Sequence, residues 1–136
     1  MRLIRFAGET DKMEEFHRLH PMLQAVFFDA AMLAYRYYDL PFLITDIRTH
    51  FLTGKERIGG VHSVYRGIDV DVCDGSVYEN GLLPAEAEGI VNMINSRWQY
   101  DPTRPNMHVA IYGDLDPAGK HWNHIHFQVH DRTVAI

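Results

Sequence analysis

The chain has 136 residues, a length that suits one domain, and 46% hydrophobic with 23% charged residues is globular rather than disordered composition. Nine histidines stand against a single cysteine, which excludes an internal disulfide framework and zinc sites built on several cysteines. The net charge of −5 gives no electrostatic footprint for nucleic acid.

The segment Met1 to Gly8 reads as a short extended start, without an apolar run long enough for a signal peptide. A charged helix follows within the first twenty residues, with Asp11 and Glu14 resembling a capping pair. This region reads as an N-terminal extension with a short helix. Pro21 punctuates the chain. From Met22 to Tyr38, Leu23, Val26, Phe27, Ala30, Leu33, Ala34 and Tyr37 recur at helical spacing. Ala25 to Tyr35 is the most apolar stretch, but Asp29 interrupts it and it is too short to span a bilayer, so no membrane insertion is expected. Asp39-Leu40-Pro41 ends the helix.

Phe42 to Arg48 reads as a strand and the glycine-containing stretch His50 to Gly60 as a loop. Gly67 to Cys73 alternates, with Ile68, Val70 and Val72 on one face and Asp69, Asp71 and Cys73 on the other. Pro84 can open a second helix, with Glu86 and Glu88 near its N-terminus and Ile90, Val91, Met93, Ile94 and Trp98 as its apolar face. Asp101-Pro102 stops it. Met107 to Tyr112 and His124 to His130 read as strands, joined by a turn-rich connection from Gly113 to Lys120. In the second of these, Ile125, Phe127 and Val129 face a core, and His124, His126, Gln128 and His130 share the opposite face. The expectation is an α+β domain: a mostly antiparallel sheet of four to five strands with two main helices packed against it.

Two clusters hold metal-ligand residue types. His62 and Asp69 run from a loop into a strand, and His121-Trp122-Asn123-His124-Ile125-His126 places three histidines within six residues. Residues two apart on a strand face the same way, so His124 and His126 can reach one site, and Asp69 lies on the polar face of its own strand. Two histidines and a carboxylate leave an open position for water, as a catalytic zinc site does. An isolated His-x-His is more often solvent-exposed, and Asp69 with Asp71 also reads as plain surface charge. The coincidence of the two clusters is what favours a metal site.

His62-Ser63-Val64-Tyr65-Arg66-Gly67-Ile68-Asp69 resembles the His-x6-Asp signature of the zinc D-Ala-D-Ala metallopeptidases. That group includes peptidoglycan carboxypeptidases, murein endopeptidases, phage endolysins and the Hedgehog signalling domain. Gly67 matches a small residue of the signature, whereas Tyr65 stands where a Gly is usual and Gly60 where a Ser is frequent. His124-Ile125-His126 resembles the closing His-x-His of the group, and Asp46-Ile47-Arg48-Thr49 resembles the strand end before its metal loop. The resemblance covers roughly residues 22–130. It implies a Hedgehog/DD-peptidase-like fold, Zn2+ held by His62, Asp69 and His126, and Arg48 as a substrate-binding residue. Asn123 and Lys120 occupy positions where many relatives carry an acidic base. His121 and His124 match the two histidines that flank the water in penicillin-insensitive murein endopeptidases, which implies His121 or His124 as base or transition-state stabiliser.

The remaining candidates carry weaker readings. His130 reads as a surface residue or one touching a ligand, and His108 as structural or substrate-lining. Asp71 reads as surface charge or a partner of a ligand histidine. Trp122 is a core aromatic or a substrate wall, Cys73 a buried small residue, and His17, His20 and His50 surface residues. Tyr35, Tyr37 and Tyr38 are expected to cover the core edge of the long helix.

The leading expectation is a zinc metallopeptidase, of D,D- or L,D-type, hydrolysing peptidoglycan peptides. The expected partner is the cell-wall peptide alone. It would be made in the cytoplasm and reach the wall from a phage virion or through a holin. A catalytically silent zinc-bearing or virion-associated structural domain is the first alternative. A non-haem iron oxygenase using two His and one carboxylate is the second, although such enzymes usually sit in a jelly roll. The sequence carries no signal for oligomeric state.

Overall fold

The computed structural model describes residues 3–9, 11–73, 81–116, 119, 121 and 123–136. Along the chain the elements are β1 (Ile4–Phe6), α1 (Met13–His17), α2 (Pro21–Tyr38), β2 (Phe42–Asp46), α3 (Gly60–Ser63), β3 (Gly67–Asp71), α4 (Pro84–Arg97), β4 (Trp98–Gln99), β5 (Ala110–Ile111), β6 (His124–Gln128) and β7 (Val134–Ala135). Five strands form one sheet in the order β1-β2-β3-β6-β5, and β4 pairs with β7 separately. The α+β expectation holds, but the sheet is mixed. β2–β3, β3–β6 and β6–β5 are antiparallel, whereas β1 lies parallel to β2. A parallel pair needs a crossover, and α1 with α2 supplies it.

The N-terminal segment is therefore part of the sheet and the core rather than an extension. Phe16 and Leu19 are buried. Glu15 Oε1 accepts the backbone N–H groups of Arg48 (2.7 Å) and Thr49 (2.8 Å), tying α1 to the end of β2. The capping pair is only half formed. Asp11 Oδ1 accepts from Met13 N–H at 3.0 Å, while Glu14 pairs with Arg18 instead.

The helical period from Met22 onward becomes the 18-residue α2. Pro21 occupies its first turn, where a missing N–H costs nothing. His20, expected as a surface residue, caps it by accepting Met22 N–H on Nδ1 at 3.1 Å. Asp39, in the left-handed region at φ 54°, ends it. Tyr38 packs against the core, but Tyr37 is 59% exposed and covers nothing. In α4, Glu86 accepts Leu83 N–H at 2.9 Å, and Ile90, Val91 and Ile94 are buried. Trp98 sits past the helix end in β4, where its Nε1–H donates to Asp29 of α2 at 2.9 Å.

The two helices cover the apolar face of the sheet. Phe27 of α2 meets Phe42 (ring centroids 5.5 Å) and Phe127 (6.1 Å), and Phe16 packs on Phe27 at 5.5 Å. Burial of each such ring contributes about 1.5–3 kcal/mol. The strand expected from Met107 to Tyr112 is only Ala110–Ile111. Its outer edge is closed by a side chain rather than a strand: Asn95 of α4 donates to Ala110 O (2.9 Å) and accepts from Ala110 N–H (3.1 Å). Cys73 lies beyond the end of β3 and is exposed, contrary to the buried position expected for it. Among the described residues, no helix is long and apolar enough to cross a membrane.

Candidate metal centre

β3 is buried on both faces. Its apolar face, Ile68 and Val70, enters the core, so Asp69 and Asp71 are turned to the opposite side. The β3–β6 register sets Asp69 opposite His126, Asp71 opposite His124 and Gly67 opposite Gln128. On the other side of β3, Ile44 pairs with Val70, but the next partner of Asp69 is Asp46 rather than Thr45. This bulge in β2 moves Asp46 from the core face, where simple alternation after Ile44 would put it, to the polar face beside Asp69.

His62 arrives from α3, a single turn between two loops. Gly67 makes its approach possible. A Cβ there would lie 2.7 Å from Val61 Cγ2, 3.2 Å from His126 Cε1 and 3.4 Å from His62 Cδ2. Tyr65, where a Gly is usual in the signature, has φ 59°, the left-handed region that costs a residue with a Cβ about 1–2 kcal/mol. The backbone there is held at both ends: Tyr65 N–H donates to His62 O (3.2 Å), and Tyr65 O accepts from His20 N–H (2.9 Å).

His62, Asp69 and His126 converge, with one ligand atom of each within 4.8 Å of the others and all three residues buried. Asp69 Oδ1 is 3.3 Å from His62 Nε2 and 2.8 Å from His126 Nδ1. The outward nitrogens are already engaged. His62 Nδ1–H donates to the Ile47 carbonyl at 2.6 Å. Gln128 Nε2 donates to His108 O at 3.0 Å, which turns Gln128 Oε1 toward His126 Nε2–H at 3.3 Å. Each ring therefore presents a lone pair inward, onto a carboxylate. Three electron-pair donors facing one another are stable only around positive charge, whether shared protons or a metal ion. The cluster therefore has the donor set and the convergence that a metal ion requires. Tetrahedral ligands about 2.0–2.1 Å from a zinc ion would lie roughly 3.3 Å apart.

The electrostatics agree with that pull. Burial alone would raise the Asp69 carboxyl, but when His126 and His62 carry a second proton, the hydrogen bonds they then donate and their charges hold it well below the usual range. Burial would lower His62, but Asp69 and then Asp46 bring it above its ordinary value. Asp46 is raised by burial and by the Asp69 charge, in spite of its 2.6 Å bond from Arg57. Its Oδ1 has no hydrogen-bond partner and lies 3.9 Å from His62 Nδ1.

The cluster opens onto a cavity of about 340 Å³ whose walls include Thr45, Asp46, His50, Arg57, His121, Asn123 and His124. The structure brings together His62, Asp69 and His126 with His121 and His124. The His121 ring centroid is 4.9 Å from His124 and 5.2 Å from His126. His124, lowered by burial, holds Nε2 3.8 Å from Asp69 Oδ2. Arg48 is not brought to this wall. It pairs with Glu56 at 3.2 Å across the Thr49–Glu56 bridge, and Arg57 stands in the cavity instead. His130 belongs to the C-terminal turn, donating its N–H to Thr133 Oγ1 at 2.9 Å. His108 contributes its carbonyl to Gln128. Asp71 is buried rather than a surface charge, packed against Gly81, where no Cβ fits. Trp122 and Lys120 lie outside the described residues.

Sequence reasoning missed Asp46, His50, Arg57 and Gln128, and with them Asp116, whose Oδ2 lies 2.7 Å from His121 Nδ1. For Asp46 a signal existed: a carboxylate at a core position of a strand demands a bulge or a partner. Gln128 shares the ligand face of β6 two residues after His126, so its contact was legible by alternation. Arg57, His50 and Asp116 sit in loops, where spacing predicts no direction. No family model, curated protein or solved structure matches the chain.

Proposed function

We propose that this chain is a zinc-dependent peptidase that hydrolyses peptide bonds of peptidoglycan, including bonds of D-amino acids, on a Hedgehog/DD-peptidase-like fold. The observation that carries the reading is the buried convergence of His62, Asp69 and His126 at the floor of a cavity walled by His121 and His124. Two imidazoles and one carboxylate suit zinc, and the cavity side leaves the fourth position accessible. Zinc, when bound, supplies a Lewis acid that polarises a scissile carbonyl and lowers the pKa of a water to about 7. The Asp69 carboxylate and one nitrogen each of His62 and His126 would hold the ion. Ile47 O and Gln128 fix the ring orientations. The cavity histidines take the proton released on attack and return it to the leaving amine. Arg57, held by Asp46, brings positive charge to the same wall. Among the described residues the strands form one five-stranded sheet and one two-stranded sheet rather than the paired sheets of a jelly roll, which supports the peptidase reading over the iron-oxygenase alternative.

The test is metal analysis of protein purified without a histidine tag, followed by incubation of the zinc-loaded protein with purified sacculi. About one equivalent of zinc is expected, lost in His62→Ala and Asp69→Ala, together with EDTA-sensitive release of peptide fragments. Less than a tenth of an equivalent, unchanged in the variants, overturns the metal site. A full zinc complement with tight wall binding and no release favours the non-catalytic reading. That second reading is supported by the carboxylates among the described cavity residues, Asp46 and Asp69, each already holding a partner: Asp46 Oδ2 with Arg57 and Asp69 Oδ1 with His126, which leaves Asp46 Oδ1 as the unpartnered oxygen.

A further inference from the structure

We infer that Asp116 is the positioning residue for His121, and that proton transfer at the cavity belongs to His121 rather than to His124. The chemistry rests on the peptidase reading, whereas the placement stands on geometry alone. Backbone hydrogen bonds bring the described residues Gly113, Asp116, Gly119 and His121 close together. Gly113 N–H donates to His121 O (2.8 Å), Asp116 N–H to Gly113 O (3.0 Å) and Gly119 N–H to Asp116 O (3.0 Å). Among them the Asp116 carboxylate, 9% exposed, accepts the His121 backbone N–H on Oδ2 at 2.9 Å and lies 2.7 Å from His121 Nδ1 through the same oxygen. An ionised carboxylate only accepts, so Nδ1 carries the ring proton and Nε2 is bare.

His121 lines the cavity with its ring centroid 5.2 Å from that of His126, whereas Asp116 is not among the residues lining it, so we place the edge away from Asp116 on the cavity side. His124 is differently placed. Its Nδ1 is 2.7 Å from the neutral amide oxygen of its exposed neighbour Asn123, and its Nε2 is directed at Asp69. Of these two histidines, His121 is therefore the one that combines a bare nitrogen away from its partner with an anion behind it. In hydrolysis, the proton of the attacking water passes to His121 Nε2 as the C–O bond forms. The resulting imidazolium is stabilised by Asp116 through Nδ1–H. The same proton then goes to the departing amine as the C–N bond breaks, leaving a carboxylic acid and an amine.

Two measurements test this. Long-range 1H–15N correlation spectra of the metal-free protein, taken with the rings neutral, are expected to show His121 protonated on Nδ1 and to lose that preference in Asp116→Asn. On zinc-loaded protein, His121→Ala is expected to lower kcat about a hundredfold or more and Asp116→Asn about tenfold or more, each with little change in KM. In the His121→Ala background, Asp116→Asn is expected to change kcat less than about twofold, because it acts through the ring already removed. A wild-type His121 protonated on Nε2 overturns the placement. An undiminished effect of Asp116→Asn without His121, or a larger loss in His124→Ala than in His121→Ala, overturns the role. If the wild-type protein releases nothing from sacculi, the peptidase reading falls, and the tautomer still decides the positioning of His121.

Discussion

The two faces of the central sheet are both largely buried and made for different ends. On one, Ile68, Val70, Ile125 and Phe127 pack beneath α2 and α4. On the other, Asp46, Asp69, His126 and Gln128 are nearly as buried, with Asp46 2% and His126 6% exposed. An apolar face is satisfied by any close-packed neighbour. A buried polar face is satisfied only when every lone pair and N–H finds its counterpart. The first stabilises the fold without a ligand. The second is consistent with itself only when positive charge sits among His62, Asp69 and His126.

Substitutions on the two faces should separate these roles. Phe127→Ala is expected to cost about 3–5 kcal/mol of stability in urea unfolding. The protein that remains folded should still take up a full equivalent of zinc, and loss of zinc binding in that folded fraction would break the distinction. Gln128→Leu removes the acceptor for His126 Nε2–H and the donor to His108 O. It is expected to weaken zinc about 10–100-fold in a competition titration, with a stability loss of about 1–3 kcal/mol from the two orphaned groups. An effect on stability alone would make Gln128 a packing residue.

Solution pH probes the polar face without mutation. His62 is raised above its ordinary value by Asp69 and Asp46 against the opposing effect of burial, so a proton competes for Nε2 up to and beyond about pH 6.5. Zinc affinity should therefore climb with pH by up to about tenfold per unit and level off above the His62 pKa, with proton release visible in calorimetry. In metal-free protein the same group stabilises the fold below pH 6.5, and that contribution disappears as pH rises through the raised value. Because His124, lowered by burial, contributes with the opposite sign, the check is the difference between wild type and His62→Ala: a difference in metal-free melting temperature that grows in favour of wild type as pH rises through this range would contradict the His62 assignment. The smallest effect lies outside both faces. Asp101, held down to about 2 by the Thr103 backbone N–H, the Thr103 hydroxyl and Arg104, stabilises the turn after β4 when ionised. Asp101→Asn should lower the melting temperature at neutral pH, and the difference from wild type should close as pH falls from about 4 to about 2.

The apolar face was largely legible in the sequence, because period is a property of neighbouring residues. The 3.6-residue recurrence of α2 and α4 and the alternation of β3 and β6 survive intact. The ligand residues were legible for the same reason: Asp69 and His126 lie on the off-phase of strands whose in-phase residues are apolar. What escaped depends on contacts distant in the chain. The parallel pairing of β1 with β2 depends on a crossover through two helices. The shortening of β5 depends on Asn95, fifteen residues away, substituting for a ladder partner. The bulge at Thr45–Asp46 changes the count by one residue, and a strict alternation cannot express that. Arg57 took the cavity position expected for Arg48 because Glu15 and Glu56 both hold the Arg48 segment, one through its backbone and the other through its guanidinium.

The pairing of Asp69 with His126 joins residues 57 apart in the chain. His62 of α3 and Asp69 of β3 are synthesised well before β6, which brings His126. Neither the outward anchor Gln128 nor the third ligand yet exists for the nascent chain. Any ion captured at that stage meets two ligands rather than three, held by no second strand. A metal site built on this cluster would therefore be complete only once β6 pairs with β3.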